Sequence, residues 1–408
     1  MKNYDVIVAG GGPAGTSAAV HLATGGARVL LLEREKFPRA KLCGEFISPE
    51  CLGHFARLGV LDEMKEAGGV RVGETKFFAR SGRRVSVPSA WFGREAGGGE
   101  AAAGALGLSR AEMDQRLLLR ARAVGVEVLE EAQVAGLLFE AAGRVRGVRV
   151  EWQGEMLELH AHVTIDATGR ARALARRIET AKGSAWIEAT ARVSTPKRMP
   201  LVAFKAHLEN TSGEERVCEI YFYRGGYGGL SRVENGLSNL CFIVAARDVR
   251  AQGSDAERVM REIVMSNTRA AETLRGARVR SEWLAVALES FGRRELVPAD
   301  GLLMVGDAAS FIDPFTGSGM LMALESGELA GACVTRALPD LRRAGGTFAS
   351  LAEDYRARYR ERFGKRLRVC SWLRRAAFAP GLATEAGIVA LGASERMRRV
   401  LARATRPA

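Results

Sequence analysis

The residues near the N-terminus that could do chemistry are glycines at a spacing typical of phosphate binding. Gly10, Gly12 and Gly15 stand in G-x-G-x-x-G register, in a run that also contains Pro13 and Ala14. The first glycine permits a tight turn, the second lets the backbone approach a pyrophosphate, and the third lets a helix pack closely on the preceding strand. The free N–H groups at the start of that helix then face the phosphates. We therefore predict that these five residues bind a dinucleotide.

The segments around the glycines have the pattern that such a site requires. Residues 4–9 are apolar and β-branched and predict a buried parallel strand, and residues 16–23 predict an alanine-rich helix. Residues 28–32 predict a second strand that leads into Glu33 and Arg34. A carboxylate about 20 residues after the first glycines accepts hydrogen bonds from a ribose hydroxyl. We assign this role to Glu33 and include Arg34 in the predicted site.

A second glycine-rich motif follows a strand far downstream. Residues 301–305 predict a strand that runs into Gly306 and Asp307, and a helix is predicted from about residue 320 to 336. A carboxylate at the end of a strand, followed by a glycine-rich start of a helix, suits a long cofactor with hydroxyl and phosphate groups. The backbone amides that would face this cofactor belong to Gly317, Ser318 and Gly319.

A third motif, Ile-Asp-Ala-Thr-Gly-Arg at residues 165–170, ends another apolar strand. Together the three motifs make the chain resemble the flavoprotein superfamily of aromatic hydroxylases, geranylgeranyl reductases and flavin-dependent halogenases. The resemblance implies that FAD is the cofactor and that Asp307 binds its ribityl chain. It also implies that Arg110, before a helix predicted over 111–123, contacts the cofactor and that the backbone around Val134 holds the adenine. Asp166 would stand at the edge of the cofactor or support the structure.

The order of these motifs predicts an α/β fold. We expect a Rossmann-like FAD-binding domain of three layers with a parallel sheet, and an inserted antiparallel β-sheet substrate domain. The FAD-binding domain is predicted to be discontinuous, over residues 1–75, 105–180 and 290–336. Residues 76–104 and 181–289 form the substrate domain, and 337–408 a helical C-terminal region. Within the substrate domain, strands are predicted at 201–208, 217–223, 227–233 and 237–245, and the glycine-rich residues 97–104 form a linker or a lid.

The sequence leaves two alternatives for the source of the electrons that reduce the cofactor. The sequence contains no second G-x-G-x-x-G. NAD(P)H, the reductant that we favour, would therefore bind transiently without a Rossmann domain of its own, as the resemblance also implies. The alternative is a partner reductase that supplies the electrons. The sequence contains no C-x-x-C pair, which argues against the dithiol chemistry of disulfide reductases.

The segment after the second predicted strand bears on the reaction. Residues 38–45, Pro-Arg-Ala-Lys-Leu-Cys-Gly-Glu, resemble the P-x-x-K-x-C-G element of geranylgeranyl reductases. The resemblance implies that Cys43 and Gly44 form a wall of the active site, and the alternative is that Cys43 is only a small buried hydrophobe. Residues 225–231, however, contain no tryptophan where reductases and halogenases carry aromatic-rich segments. We place Tyr227 and Phe222 in contact with the substrate.

Three functions are compatible with these observations. The missing aromatic segment favours an FAD-dependent monooxygenase that hydroxylates an aromatic or polyketide-like hydrophobic substrate. The second is a flavin-dependent reductase of activated or prenyl double bonds. The third is a membrane-docked flavoprotein electron carrier, because residues 365–375 are basic with interleaved leucine and tryptophan.

Composition excludes several other classes of protein. The net charge of +13 over 408 residues is dispersed along the chain, and no nucleic-acid-binding motif accompanies it. The six cysteines and five histidines have no metal-ligand spacing, so we expect no metal site and a reducing compartment. No run approaches the roughly 20 apolar residues that span a bilayer, and the N-terminus does not resemble a signal peptide. We predict a cytoplasmic protein, with contact to a membrane surface as the less favoured alternative.

Overall fold

Strands and helices alternate along the chain from the first described residue onward. The computed structural model describes residues 3–92, 104–141, 143–181, 200–288, 291–343, 346–378 and 381–406. The strands are β1 (Asn3–Ala9), β2 (Val29–Leu32), β3 (Phe46–Ile47), β4 (Val70–Val72), β5 (Glu74–Phe78), β6 (Arg84–Pro88), β7 (Ala105–Gly107), β8 (Glu127–Leu129), β9 (Gln133–Phe139), β10 (Val145–Trp152), β11 (Glu155–Asp166), β12 (Leu201–Glu209), β13 (Val217–Tyr223), β14 (Gly226–Arg232), β15 (Ser238–Ala245), β16 (Arg278–Val279), β17 (Leu284–Leu288), β18 (Gly292–Arg293), β19 (Leu302–Met304) and β20 (Ser310–Phe311). The α-helices are α1 (Pro13–Thr24), α2 (Pro49–Leu58), α3 (Leu61–Glu66), α4 (Arg110–Ala123), α5 (Ala173–Ala181), α6 (Ala246–Ala251), α7 (Ala256–Glu262), α8 (Thr268–Leu274), α9 (Gly319–Leu341), α10 (Ala349–Ala377), α11 (Gly381–Ala393) and α12 (Glu395–Ala404).

The first sheet carries the glycine motif on its central strand. β1 pairs in parallel with β2 and β11, and β8 and β19 extend the parallel part in the order β8-β2-β1-β11 with β19 beside β11. β9 and β10 continue the sheet in antiparallel pairing. β1 is buried on both faces after its first residue, as a parallel strand covered by helices must be. The predicted Rossmann-like α/β fold is confirmed.

Two helices on this sheet approach each other more closely than ordinary side chains allow. A Cβ atom on Gly327 of α9 would lie 2.3 Å from the carbonyl oxygen of Ala14 in α1, and one on Gly331 would lie 2.9 Å from the His21 Cβ. At the same contact the Ser17 hydroxyl donates to the Leu324 carbonyl at 2.8 Å. Glycine is therefore required in the middle of α9, because it lets this helix fix the position of α1 and of the glycine motif in front of it.

The second sheet is larger and almost entirely antiparallel. Its order is β16-β12-β15-β14-β13-β5-β6, with β17 beside β12. The predicted strands agree with β12 to β15 within one residue at each end. One pair differs from the prediction of an antiparallel sheet, because β5 lies parallel to β13. β5 comes from an earlier part of the chain and joins the edge of the β13–β14 hairpin, so no tight turn dictates its direction.

Two of the predicted domain boundaries fall inside elements of this fold. β5 crosses the boundary predicted at residue 75, although all its pairing is with the second sheet. The boundary predicted at 336 lies inside α9, which continues through Pro339 to Leu341. Most of the predicted glycine-rich loop, residues 97–103, lies outside the described residues, as do 182–199 of the predicted substrate domain.

The C-terminal helices cover both lobes. α10 packs on α9 through the buried side chains of Tyr355, Tyr359 and Phe363, and the Tyr355 hydroxyl donates to the Met304 carbonyl of β19 at 2.6 Å. α11 and α12 pack on β6 at the edge of the second sheet. Within the described ranges, no helix is by itself long and apolar enough to cross a membrane, whereas α10 and α11 together, with a bend of 120° between them, meet that length and composition.

The close contact between α1 and α9 generates a prediction about stability. We expect Gly327→Ala to lower the free energy of unfolding by about 1–3 kcal/mol, because the added methyl group overlaps backbone that cannot easily move. Gly364→Ala in α10 is the matched control, since its Cβ would lie 4.0 Å from the nearest atom and alanine favours a helix. Urea unfolding followed by circular dichroism measures both. A Gly327→Ala protein as stable as the Gly364→Ala control would contradict the packing described here.

Candidate functional site

The glycine motif forms a turn whose outer side is open. Gly10 has a φ of +111°, and a Cβ there would lie 2.4 Å from the Ala167 carbonyl oxygen. A Cβ on Gly15 would lie 1.9 Å from the Gly10 carbonyl oxygen. Gly12 differs, because the atoms nearest to a Cβ there are guanidinium nitrogens of Arg110 and Arg39, at 3.8 and 4.0 Å. The space in front of α1 is therefore bordered by a helix N-terminus and two cations, a combination suited to a pyrophosphate.

Two buried carboxylates hold these guanidinium groups in place. Asp114 in α4 accepts from Arg110 Nε at 2.8 Å and Nη2 at 2.6 Å, and from Arg39 Nη1 at 3.1 Å. Glu33 accepts from Arg39 Nη2 at 3.1 Å and from the Gly11 N–H at 2.9 Å. Burial alone would raise the pKa of Glu33, but the charge of Arg39 and the N–H groups of Glu35 and Gly11 outweigh it, so its pKa lies below the usual range. Glu33 is thus an anion at the end of β2.

Of the residues around Glu33, sequence reasoning selected Arg34 and missed Arg39. The Arg34 side chain is 63% exposed and pairs with Glu35 at 3.1 Å. Arg39 instead lies over the glycine turn, and its buried Nε–H has no hydrogen-bond partner among the described residues. The only sequence signal for Arg39 is its place in the segment 38–45, of which only the cysteine and the glycine were predicted to lie at the site.

Asp307 lies on the other side of the same opening. It follows β19 and is preceded by Gly306, which has a φ of +60°. Only glycine fits at position 306, because a Cβ there would lie 2.8 Å from the Ala14 Cβ. Within the described part of the chain no hydrogen bond to the Asp307 carboxyl is formed. Burial raises the pKa of this carboxyl, and the charges of Arg170, Arg110 and Lys41 oppose the shift. An unpartnered acceptor beside the glycine turn suits a polyhydroxylated chain such as ribityl.

The remaining predicted cofactor residues lie around this opening with different roles. The Asp166 carboxylate accepts from Thr168 and from the Leu174 and Ala175 N–H groups, so it caps α5 and is fully engaged within its own turn. The Val134 carbonyl in β9 accepts from Arg177 at 3.0 Å. At the start of α9, Gly317 has a φ of +61°, Ser318 is buried with its hydroxyl bonded to Thr316, and a Cβ on Gly319 would meet nothing within 4 Å.

The segment with Cys43 and Gly44 runs between the two sheets, and Glu45 fastens it there. Glu45 is fully buried and has a φ of +53°. Its Oε1 accepts from the Arg110 N–H at 2.8 Å and from the Lys205 ammonium, and its Oε2 is 2.6 Å from His207 Nε2. Burial alone would raise the pKa of Glu45, but the hydrogen bond with His207 and the charge of Lys205 lower it. A carboxylate of the first lobe is thereby bonded to two residues of β12 in the second.

Cys43 takes its orientation from the same connection. Its carbonyl accepts from Asn239 Nδ2 of β15 at 3.1 Å, and its thiol accepts from the Glu45 N–H at 3.4 Å. Burial alone would lower the pKa of the Arg110 guanidinium, but the charge and hydrogen bonds of Asp114, with a smaller contribution from the Cys43 thiol, raise it. Sequence reasoning placed Cys43 and Gly44 at the site but missed Glu45 and Lys205, because their partners are about 160 residues away in the chain.

The two predicted substrate residues lie in an aromatic cluster beside this segment. Phe222 and Tyr227 lie with ring centroids 5.6 and 5.4 Å from that of Phe315, and Tyr227 is 5.8 Å from Phe378. Phe77 is tilted against Phe315, at 5.7 Å, and stacks on Phe222, at 6.5 Å. The Tyr227 hydroxyl is bonded to Asp313, so the cluster presents hydrocarbon and no free polar group of that tyrosine. We call these five rings the aromatic wall.

The described residues hold no group of three or more histidine, cysteine, aspartate or glutamate side chains that could bind a metal ion. All six cysteines are free thiols. His54 bonds to Arg57 at 2.8 Å and lies 3.2 Å from Glu328, within the first lobe.

Comparison with known proteins agrees with this arrangement. The sequence profile of the family described as FAD binding domain matches residues 3–327. Digeranylgeranylglycerophospholipid reductase 2 of Methanopyrus kandleri is 28% identical over 363 residues, which cover 89% of this chain and 83% of the relative. Menaquinone reductase of Mycolicibacterium smegmatis is 28% identical over 349 residues, 81% and 76% of the two chains. A geranylgeranyl bacteriochlorophyll reductase-like protein from Thermoplasma acidophilum has the same fold, with a TM-score of 0.77 at 19% identity, covering 100% and 97%.

The glycine turn generates a prediction about cofactor content. We expect Gly12→Val and Asp307→Ala to purify with a molar ratio of FAD to protein below about 0.1, because one fills the space for the phosphates and the other removes the acceptor for the ribityl hydroxyls. Gly53→Val in α2 is the control, since its Cβ would also meet only a guanidinium nitrogen at 3.8 Å, but at the surface. Absorbance near 450 nm, where flavins absorb, measures the ratio. Variants that retain full FAD would contradict the site.

The Glu45–Lys205 pair generates a prediction about stability. We expect Glu45→Gln and Lys205→Met each to lower the free energy of unfolding by about 3–5 kcal/mol, because each leaves a buried charge without its partner, and the double variant to lose less than either. Lys65→Met is the control, since the Lys65–Asp62 pair is exposed and contributes less than about 1 kcal/mol. Urea unfolding of the wild type and the four variants provides the comparison, and strictly additive losses would contradict the coupling.

The same pair has a consequence for acid stability. Because the pKa of folded Glu45 lies below that of an unfolded glutamate, about 4.3, its contribution is fully present above that pH and is lost as the pH falls through the folded value.

The geometry and the comparisons point to one class of protein. A helix N-terminus, two fixed guanidinium groups and an unpartnered aspartate border the opening where a dinucleotide would be held. The family profile covers the strands and helices that supply them. The chain belongs to the FAD binding domain family and is an FAD-dependent oxidoreductase.

Proposed function

We propose that the protein is a flavin-dependent reductase that saturates double bonds in the prenyl chain of a lipid. The observation that carries the proposal is the aromatic wall of Phe77, Phe222, Tyr227, Phe315 and Phe378 beside the Cys43 segment. A wall of this kind offers a long hydrocarbon apolar contact, and its one hydroxyl, that of Tyr227, is already bonded to Asp313. The curated relatives named as reductases of a geranylgeranyl lipid and of menaquinone support the same substrate class.

The sequence favoured hydroxylation because the aromatic-rich segment of the reductases is missing. That argument loses weight once the strand at this place, β14, is seen among its neighbours. A Cβ on Gly226 would lie 1.9 Å from the Ile243 carbonyl oxygen and 2.9 Å from the ring of Tyr223, and one on Gly228 would lie 2.9 Å from the Phe242 Cβ. The glycines of β14 thus let the backbone and side chains of β13 and β15 approach closely, and a large side chain would not fit at these two positions. Aromatic side chains from other elements supply the hydrophobic surface that this segment lacks.

The residues that would hold FAD are those around the glycine turn. Arg39, Arg110 and the start of α1 would bind the pyrophosphate, Asp307 the ribityl chain, and the amides around Gly319 the end of the cofactor that carries the ring. Bound FAD would supply the transfer of two electrons from a reductant, for which NAD(P)H remains our prediction. The protein would contribute by excluding water with the aromatic wall and by holding Cys43 at the opening through Glu45 and Asn239.

The proposal is tested by product analysis under anaerobic conditions. The FAD-bound protein is reduced with dithionite and mixed with a geranylgeranyl-bearing glycerophospholipid dispersed in detergent, and the lipid is examined by mass spectrometry. We expect a gain of two hydrogen atoms per double bond saturated, with reoxidation of the flavin. An unchanged lipid, together with oxygen insertion into a phenol in air with NADPH, would favour the hydroxylase. Electron delivery to a quinone without either product would favour the electron carrier.

The aromatic wall gives this test a matched pair of variants. We expect Phe315→Ala to lower kcat/KM for the prenyl lipid by about tenfold or more, because burying a phenyl ring contributes about 1.5–3 kcal/mol. Phe139→Ala removes the same ring from an exposed position in β9, 52% exposed, and should leave kcat/KM unchanged. Both variants should retain FAD, which shows that the loss concerns the substrate. Equal kcat/KM values for the two variants would contradict a role for the wall.

A further inference from the structure

Exposed apolar side chains concentrate in the C-terminal helices. Among the described residues, eight large apolar side chains are exposed, and five of them lie between residues 372 and 400. These five, with their exposed fractions, are Trp372 (63%), Leu382 (88%), Val389 (51%), Met397 (39%) and Val400 (60%). The other three are scattered over the first lobe. Single exposed apolar residues need no explanation, but a group of five on consecutive helices marks a surface that binds something.

The middle helix of this region, α11, has two unlike faces. Ile388 and Leu391 point inward and pack in the cluster that contains Phe222 and Tyr227 of the aromatic wall. On the outside, Leu382 and Val389 are accompanied by exposed alanines and glycines. The one charged residue of α11, Glu385, is bonded through both carboxylate oxygens to Ser81, at 3.0 and 2.8 Å. The outer face of α11 is therefore apolar and uncharged.

The helices before and after α11 carry exposed cations. In α10, Lys365, Arg368 and Arg375 are exposed at a spacing that puts them on the same side as Trp372. In α12 the exposed basic residues are Arg396, Arg399 and Arg403, next to Met397 and Val400. Residues 365–406 contain ten Lys and Arg against two Glu. Three of the ten, Arg366, Arg374 and Arg406, are largely buried and lie against Glu325, Asp313 and Glu50. Exposed basic faces thus precede and follow the uncharged apolar face of α11 along the chain.

This pattern decides between the partners that could cover an apolar face. A second copy of the chain would bring its own six exposed cations on α10 and α12 against this one, and like charges in contact oppose association. An anionic lipid bilayer complements both features, since its headgroups attract each exposed Lys or Arg by about 1 kcal/mol and its interface accepts tryptophan and aliphatic side chains. We propose that α10, α11 and α12 form a surface that docks on an anionic membrane, with the outer face of α11 at the level of the acyl chains. We call it the docking surface.

The docking surface and the aromatic wall lie on opposite sides of α11. A lipid leaving the bilayer at this surface would have only one helix between it and the wall. This consequence rests on the proposed reductase function, whereas docking itself does not. This short path explains why an enzyme that acts on a hydrocarbon chain would carry its exposed apolar residues on α11 and not on the first lobe.

Vesicle flotation with the FAD-bound full chain tests the proposal. We expect the protein to float at low salt with vesicles of equal parts phosphatidylcholine and phosphatidylglycerol, to float poorly with phosphatidylcholine alone, and to dissociate as salt is raised. The double variants Leu382→Asp/Val389→Asp and Arg396→Glu/Arg403→Glu should each reduce the bound fraction by more than about tenfold. The control Phe139→Asp/Met156→Asp changes two exposed apolar residues elsewhere, and the control Arg250→Glu/Arg258→Glu changes two exposed arginines elsewhere. Both controls should float like the wild type.

Two results would overturn the proposal. The first is a wild-type protein that stays in solution with anionic vesicles at low salt. The second is equal flotation of the docking-surface variants and their controls, with melting temperature and FAD content unchanged. If light scattering instead shows a dimer that the Leu382→Asp/Val389→Asp variant dissociates, the face binds a second copy. Turnover of detergent-dispersed lipid is measured separately, so a protein that docks but does not reduce the lipid refutes the proposed function and leaves the docking surface standing.

Discussion

The buried carboxylate of Glu45 is the constraint on which the rest of the site depends. It is bonded at once to the first turn of α4, which carries Arg110, and to Lys205 and His207 of the second sheet. An anion without solvent must have such partners, so the two lobes and the segment with Cys43 cannot move independently without leaving a charge unpaired. The left-handed backbone of Glu45 itself shows that the fold accepts local strain to keep this carboxylate at the junction.

The cofactor side of the site is organised by a second chain of charges that meets the first at α4. Asp114 holds Arg110 and Arg39, and Arg39 reaches Glu33 at the end of β2. The glycines in the middle of α9 bring this helix within backbone contact of α1, which follows the glycine turn. Because both networks include the start of α4, the position of the guanidinium groups in front of the glycine turn is tied to the position of the second sheet, and with it to the aromatic wall.

Much of the first lobe was predictable because its signals are local. The strand, glycine run, helix and acidic residue follow one another within about 30 residues, so their spacing alone specifies a βαβ unit. The strands β12 to β15 were predicted to within one residue for the same reason, since alternation and the turn at Asn235 are local features. Arg39, Glu45 and Lys205 were not predicted, because what distinguishes them is burial with a partner from a distant element, which no spacing in the sequence encodes.

The sequence by itself determined the cofactor class and the fold, because phosphate binding by a helix N-terminus needs residues at fixed short intervals. It did not determine the substrate, because the surface that would contact it is assembled from β5, β13, β14, the turn before α9 and the residue that follows α10. Only the tertiary structure decided that the glycines of β14 allow a close approach of the neighbouring strands and that the basic segment at the C-terminus flanks an apolar helix. Both facts depend on which face of an element is covered, and coverage is a property of packing between elements distant in the chain.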